Sequence, residues 1–127
     1  MSAGKLIVIV DDEPAIRRVL EIKLTLAGYT VACAEDGESG LALILDRRPD
    51  AAIVDLGLPR MDGRTLCQRV EAAKRERPFL TIVSTGSADR DDTQEWVCRL
   101  TDTVIIPKPF SPAAILTCID KYVRKGT

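Results

Sequence analysis

The chain has 127 residues, of which 46% are apolar and 29% charged, with a formal net charge of -1. That is the length of one ordinary domain with enough apolar material for a core, and its near charge balance argues against a nucleic-acid surface, which needs a basic excess. It has no histidine, which excludes histidine general bases, Ser-His-Asp triads and the commonest zinc sites.

No apolar run approaches the ~20 residues that cross a bilayer. The five residues before the first apolar run are too few for a signal peptide. Cys33, Cys67, Cys98 and Cys118 are widely spaced and form no CxxC pair. They read as reduced thiols of a cytoplasmic protein, with Cys118 as core filler.

Strand and helix patterns alternate five times, which predicts a parallel sheet covered on both faces. The first strand is read at residues 5–10. A helix follows from about Glu13, with Pro14 early in it, Asp12 as its N-cap and Gly28 as its C′ stop. Ile16, Leu20, Leu24 and Ala27 recur at helical spacing on one face. The second strand is read at 29–34, and Asp36-Gly37 turns the chain into a helix that ends before Pro49.

The third strand is read at 51–55, and a loop from Gly57 to Gly63 leads into a helix from about Asp62 to Arg75. Pro78 separates that helix from the fourth strand at 79–84. The polar stretch from Gly86 to Thr101, with Ala88-Asp89-Arg90-Asp91-Asp92 inside it, predicts a short, weakly amphipathic fourth helix and hence a mobile readout element. The fifth strand is read at 103–107. Ser111 and Pro112 then open a last helix with Ile115, Leu116, Ile119, Tyr122 and Val123 on its apolar face. No repeat or linker breaks the pattern, so residues 1–127 are expected to form one domain.

Charged residues end three of the apolar runs. Residues 6–10 lead into Asp11 and Asp12, 51–54 into Asp55, and 104–106 through Pro107 into Lys108. In open parallel sheets of order 2-1-3-4-5 the first and third strands are neighbours at the switch point, and chemistry gathers at their carboxyl ends. Asp55 would then face Asp11 and Asp12. Carboxylates held that close repel unless a cation joins them. Oxygen donors without histidine or a nearby thiol point to Mg2+.

A carboxylate also serves as a nucleophile toward phosphorus. Thr85, beside the small Gly86, would offer a hydroxyl at the same rim; Ser84 is the alternative one residue earlier. Lys108, between Pro107 and Pro109, would lie against Asp55 and pair with a phosphoryl group.

These residues together resemble the receiver (CheY-like) domain of two-component response regulators. The matching pieces are Ile9-Val10-Asp11-Asp12-Glu13-Pro14, the run from Val54 to Gly63, Ser84-Thr85-Gly86 and Lys108-Pro109-Phe110. The resemblance implies a flavodoxin-like, doubly wound α/β fold. It implies that Asp55 accepts a phosphoryl group from the phosphohistidine of a histidine kinase or histidine phosphotransfer protein. Asp11 or Asp12, Asp55 and the backbone carbonyl of Gly57 would hold Mg2+, with Asp12 the closer ligand. Thr85 would be the switch hydroxyl and Lys108 the phosphate-binding lysine, with a cis Lys108–Pro109 bond.

Such a domain catalyses its own phosphorylation and hydrolysis and is not a metabolic enzyme. Its readout would be a protein effector, a fused output domain or a homodimer, with no membrane or nucleic acid involved. Receivers usually carry Tyr or Phe where Ile105 stands and Gly-Ala before the fifth strand, where Thr101-Asp102-Thr103 stands; Pro107 is also unusual.

The same residues bear on two rival readings. A phosphorylation-independent pseudo-receiver would have lost an acid or the lysine. An aspartate-nucleophile phosphatase would want a second acid where Gly57 stands.

Overall fold

A computed structural model describes residues 4–86 and 90–125 of the chain. Five strands, β1 (Leu6–Val10), β2 (Thr30–Ala34), β3 (Ala51–Asp55), β4 (Leu80–Thr85) and β5 (Thr103–Pro107), form one sheet of order β2-β1-β3-β4-β5. Every pairing is parallel. The helices between and after them are α1 (Pro14–Leu26), α2 (Gly37–Arg47), α3 (Gly63–Val70), α4 (Ala73–Glu76), α5 (Arg90–Val97) and α6 (Pro112–Lys125). The expected 2-1-3-4-5 order and all five strands are present. The start of the polar stretch, at 87–89, and the first residues of the N-terminal segment lie outside the described residues. Among the described residues, no helix is long and apolar enough to cross a membrane.

The uninterrupted apolar runs have a simple cause. β3 and β4 are buried along their whole length and β1 along all but its first residue, so neither face tolerates a charge until the strand ends. The edge strands β2 and β5 are only partly buried and carry Thr30, Cys33 and Val104 outward.

Alternation along β1 sends Val8 and Val10 into one core with Ile44, Leu66 and Val83. Ile7 and Ile9 enter the other with Leu20, Leu24, Ile115 and Ile119. Each such fully buried side chain contributes about 1.5–3 kcal/mol relative to an exposed one.

Two helix boundaries differ from expectation. Glu13, not Asp12, is the N-cap of α1, and its side chain makes no capping bond. Instead its backbone N–H donates to Asp11 Oδ1 at 2.9 Å. Pro14 contributes no N–H of its own, so this bond from the preceding residue fixes the entry to the helix. At the other end of α1, Gly28 takes a φ of +97°, the left-handed turn that stops a helix without Cβ strain.

The helix expected over 62–75 breaks into α3 and α4. Between them Lys74 N–H bonds to the Glu71 carbonyl and Arg75 N–H to the Ala72 carbonyl, three residues back in each case. This tighter winding turns Lys74 inward, where it is only 4% exposed.

The buried Lys74 ammonium accounts for the polar residues before β5. It donates to the Thr101 carbonyl, to Thr103 Oγ1 at 3.1 Å and to the Asp102 carbonyl at 3.4 Å, and it lies 5.0 Å from the centre of the Phe79 ring. Glu71 Oε2 accepts from Thr101 N–H at 2.8 Å and Thr101 Oγ1 at 2.7 Å, while Tyr122 Oη donates to Asp102 Oδ2 at 2.7 Å. Thr101-Asp102-Thr103 is thus bound from three sides before β5 begins.

The cysteines are all free thiols. Cys67 is 2% exposed, and burial pushes its thiol up to about 12. Cys98 is exposed. Dithionitrobenzoate should therefore modify Cys98 in the native protein and reach Cys67 only after unfolding, as mapped by peptide mass. Native labelling of Cys67 would contradict this packing.

Candidate functional site

The carboxyl ends of β1, β3, β4 and β5 bring the charged strand-end residues together. Asp11 follows β1 and is 3% exposed; Asp55 ends β3 and is 8% exposed; Thr85 ends β4 and is buried. Lys108 follows β5, and its backbone N–H donates to the Thr85 carbonyl at 2.9 Å. The Lys108–Pro109 bond is cis, as the resemblance implied.

The Lys108 ammonium lies 3.3 Å from Asp11 Oδ2, 3.4 Å from Glu13 Oε1 and 3.6 Å from Asp55 Oδ1. Asp11, Asp12 and Asp55 each offer a carboxylate oxygen, all within 4.8 Å of one another. Asp11 and Asp55 are buried and Asp12 is exposed.

The electrostatics follow from this crowding. Burial raises the pKa of the Asp55 carboxyl above its ordinary value; the Gly57 N–H and Lys108 oppose the rise, and Asp11 and Asp12 add to it. For Lys108 burial alone would lower the pKa, but Asp11, Asp55 and Glu13 together carry it above the ordinary lysine value. One ammonium among four carboxylates leaves an excess of negative charge at the rim. The donor set is hard oxygen only, which fits a small divalent cation such as Mg2+ and not a thiophilic metal.

An open cleft of about 700 Å³ lies over these residues, and Asp12, Asp55, Gly57, Thr85 and Lys108 line it. Thr85 reaches the cleft and Ser84 does not: Ser84 pairs in register with Asp55 and is 1% exposed, its hydroxyl without a hydrogen-bond partner among the described residues. The Gly57 N–H donates to Asp55 Oδ1 at 3.3 Å.

The loop carrying Gly57 returns to the strand at Gly63. There a Cβ would sit 2.6 Å from the Asp55 carbonyl oxygen and 2.8 Å from Leu56 Cα. Only glycine lets α3 start this close to the end of β3. Asp62 caps α3 by accepting from Thr65 N–H at 2.8 Å.

Sequence reasoning missed two contributors. Glu13, expected only as the start of the first helix, meets Lys108 directly. Arg64 stacks on Trp96, with 5.6 Å from its guanidinium carbon to the ring centre, and both line the same cleft. Nothing in the sequence signals a pair 32 positions apart. Ile105, three residues before Lys108, packs against the core that holds Val83 and Trp96.

An open, five-stranded parallel sheet that gathers carboxylates and a lysine at its carboxyl rim defines a CheY-like signalling α/β domain. A family model of the response regulator receiver domain matches residues 7–120, and the chain belongs to that family. Response regulator MprA of Mycolicibacterium vanbaalenii is 33% identical over 123 residues, covering 95% of this chain and 51% of that protein. The probable transcriptional regulator ycf27 of Porphyridium aerugineum is 34% identical over 119 residues, covering 94% of this chain and 48% of that protein. The chain therefore spans about half the length of the curated relatives it matches.

Among solved structures, chemotaxis protein CheY4 of Vibrio cholerae superposes with a TM-score of 0.82 at 27% identity, covering 94% of this chain and 99% of that one. A CheY-like receiver domain protein from Methanospirillum hungatei gives 0.77 at 31% identity, covering 95% and 98%.

Proposed function

We propose that residues 1–127 act as one cytoplasmic phosphorelay receiver unit, with Asp55 as the phosphoacceptor. The observation that carries this reading is the placement of the Lys108 ammonium 3.6 Å from Asp55 Oδ1 in a rim of three clustered aspartates that opens on a cleft. An Asp55 carboxylate oxygen attacks the phosphorus of a phosphohistidine on a histidine kinase or phosphotransfer protein. The O–P bond forms as the P–N bond breaks, and the leaving imidazole nitrogen keeps the electron pair and takes up a proton.

Asp11, Asp12, Asp55 and the Gly57 carbonyl would hold Mg2+. The ion supplies charge neutralisation for the phosphoryl oxygens when bound. Lys108 holds Asp55 ionised and then pairs with the phosphoryl group; the Thr85 hydroxyl donates to a phosphoryl oxygen. These contacts exist only with the phosphoryl group in place, so they bias a two-state equilibrium and switch a protein-binding surface. The readout is an effector protein, a second copy of this chain or an output domain of the kind that longer relatives have room for.

The test is direct. With acetyl phosphate and Mg2+ the chain should gain one phosphoryl group by intact mass, and removal of Mg2+ by EDTA should abolish the gain. Asp12→Ala should weaken Mg2+ binding at least tenfold, read by amide NMR titration. No mass gain, or an unchanged titration in the variant, would overturn the assignment of Asp55 or of Asp12 respectively.

A further inference from the structure

Two cations line the cleft over Asp55, and they are held very differently. Lys108 is surrounded by three carboxylates at 3.3–3.6 Å. Arg64 is exposed and, among the described residues, makes no ion pair within 4.0 Å; its guanidinium lies over the face of Trp96. Arg64 is also the second residue of α3, in a first turn without an acidic residue. A cation there opposes the helix dipole, so its position is not explained by the helix that carries it.

The neighbouring residue ties Arg64 to the phosphoacceptor. Gly63 packs against the Asp55 carbonyl so tightly that a Cβ would lie 2.6 Å away, and its N–H donates to the Leu56 carbonyl at 3.2 Å. The Arg64 side chain therefore springs from backbone in contact with the end of β3. At its other end the guanidinium covers Trp96 of α5, which is 6% exposed and packed with Val97 in the core that also holds Val83 and Leu66.

We infer that Arg64 is a second phosphoryl-binding cation, and that its transfer from the Trp96 ring to the phosphoryl group carries the occupancy of Asp55 to α5. This rests on the reading of Asp55 as phosphoacceptor. Phosphorylation replaces the single carboxylate charge of Asp55 with close to two charges spread over three phosphoryl oxygens in the cleft. A guanidinium–ring contact at an exposed site is weak, whereas a guanidinium offers phosphate two parallel, charge-assisted hydrogen bonds. Lys108 stays shared with Asp11 and Glu13 when it pairs with the phosphoryl group, so Arg64 is the cation with further hydrogen-bonding capacity to give. When it leaves the ring, Trp96 loses the group that covers it, and α5 settles into a different packing.

Trp96 is the only tryptophan, so its emission reports this one place. The protein is treated with Mg2+ and acetyl phosphate, the phosphoryl groups per chain are counted by intact mass, and Trp96 emission and acrylamide quenching are expressed per phosphoryl group. Wild type should show a shift in emission and at least a twofold change in quenching constant. Arg64→Gln, at an exposed position, should begin with altered emission and lose at least half of the change per phosphoryl group. Arg64→Lys, which keeps charge without the planar fork, should fall between them.

A full change per phosphoryl group in Arg64→Gln, or none in phosphorylated wild type, overturns the inference and leaves the phosphoacceptor intact. Absence of any phosphoryl gain overturns both and is recognised by the mass measurement alone.

Discussion

Asp55→Asn should reduce phosphoryl uptake from acetyl phosphate and Mg2+ from one group per chain to none. Asparagine keeps the shape of aspartate but offers a neutral amide, which is no nucleophile toward phosphorus. The fold should survive, because the substitution removes a charge the site disfavours. Burial raises the Asp55 pKa, and Asp11 and Asp12 add to the rise. The charged form is therefore destabilised in the folded chain at neutral pH, and that cost is relieved as pH falls. At neutral pH the variant should unfold in urea at a midpoint no lower than wild type, while its mass stays constant in the donor. Equal phosphoryl gain by wild type and a folded variant would place the acceptor elsewhere.

Lys74→Ala should cost about 3 kcal/mol of stability and lower the melting temperature by roughly 10 °C, without touching the rim. Removing the ammonium takes a charged donor from Thr103 Oγ1 and from the Thr101 and Asp102 carbonyls, which among the described residues keep only the Thr103 hydroxyl and the Thr81 N–H respectively, and opens a void beside Phe79. Lys74→Met should recover part of the loss by filling the void without restoring the ammonium's hydrogen bonds.

A second signature separates charge from packing. Burial lowers the Lys74 pKa below the ordinary 10.5, so the unfolded chain binds this proton more tightly than the folded one. The associated cost is complete below the folded pKa and fades as pH rises toward 10.5, so this residue adds stability with rising pH in that window. The difference between wild type and Lys74→Met, in urea midpoints taken across alkaline pH, should grow in the same direction. A flat difference would mean that the ammonium is not held as described.

The central sheet was legible because burial on both faces leaves no choice of residue. Where a run such as 51–54 is apolar throughout and ends on an acid, a parallel strand and its carboxyl end are marked together. The gathering of Asp11, Asp12, Asp55 and Lys108 followed from strand order alone. What escaped depends on contacts across elements.

By composition Asp12 is the favoured cap and Glu13 is not. The helix starts one residue later because the Asp11 carboxylate takes the Glu13 N–H. The break before α4 was invisible because Ala72, Ala73 and Lys74 all favour helix; it exists because Lys74 has a loop to bind. Arg64 reads as any exposed arginine until Trp96 is placed under it.

Among the described residues, the sheet also divides the buried interior into two compartments that share no buried side chain. The α5 residues Trp96 and Val97 belong wholly to one, while the other is built by α1 and α6 with Ile7, Ile9 and Ile82. A shift of α5 thus leaves the far compartment's jigsaw untouched. The α5 shift inferred above would then alter one side of the exterior and leave the α1 and α6 side with its outline unchanged.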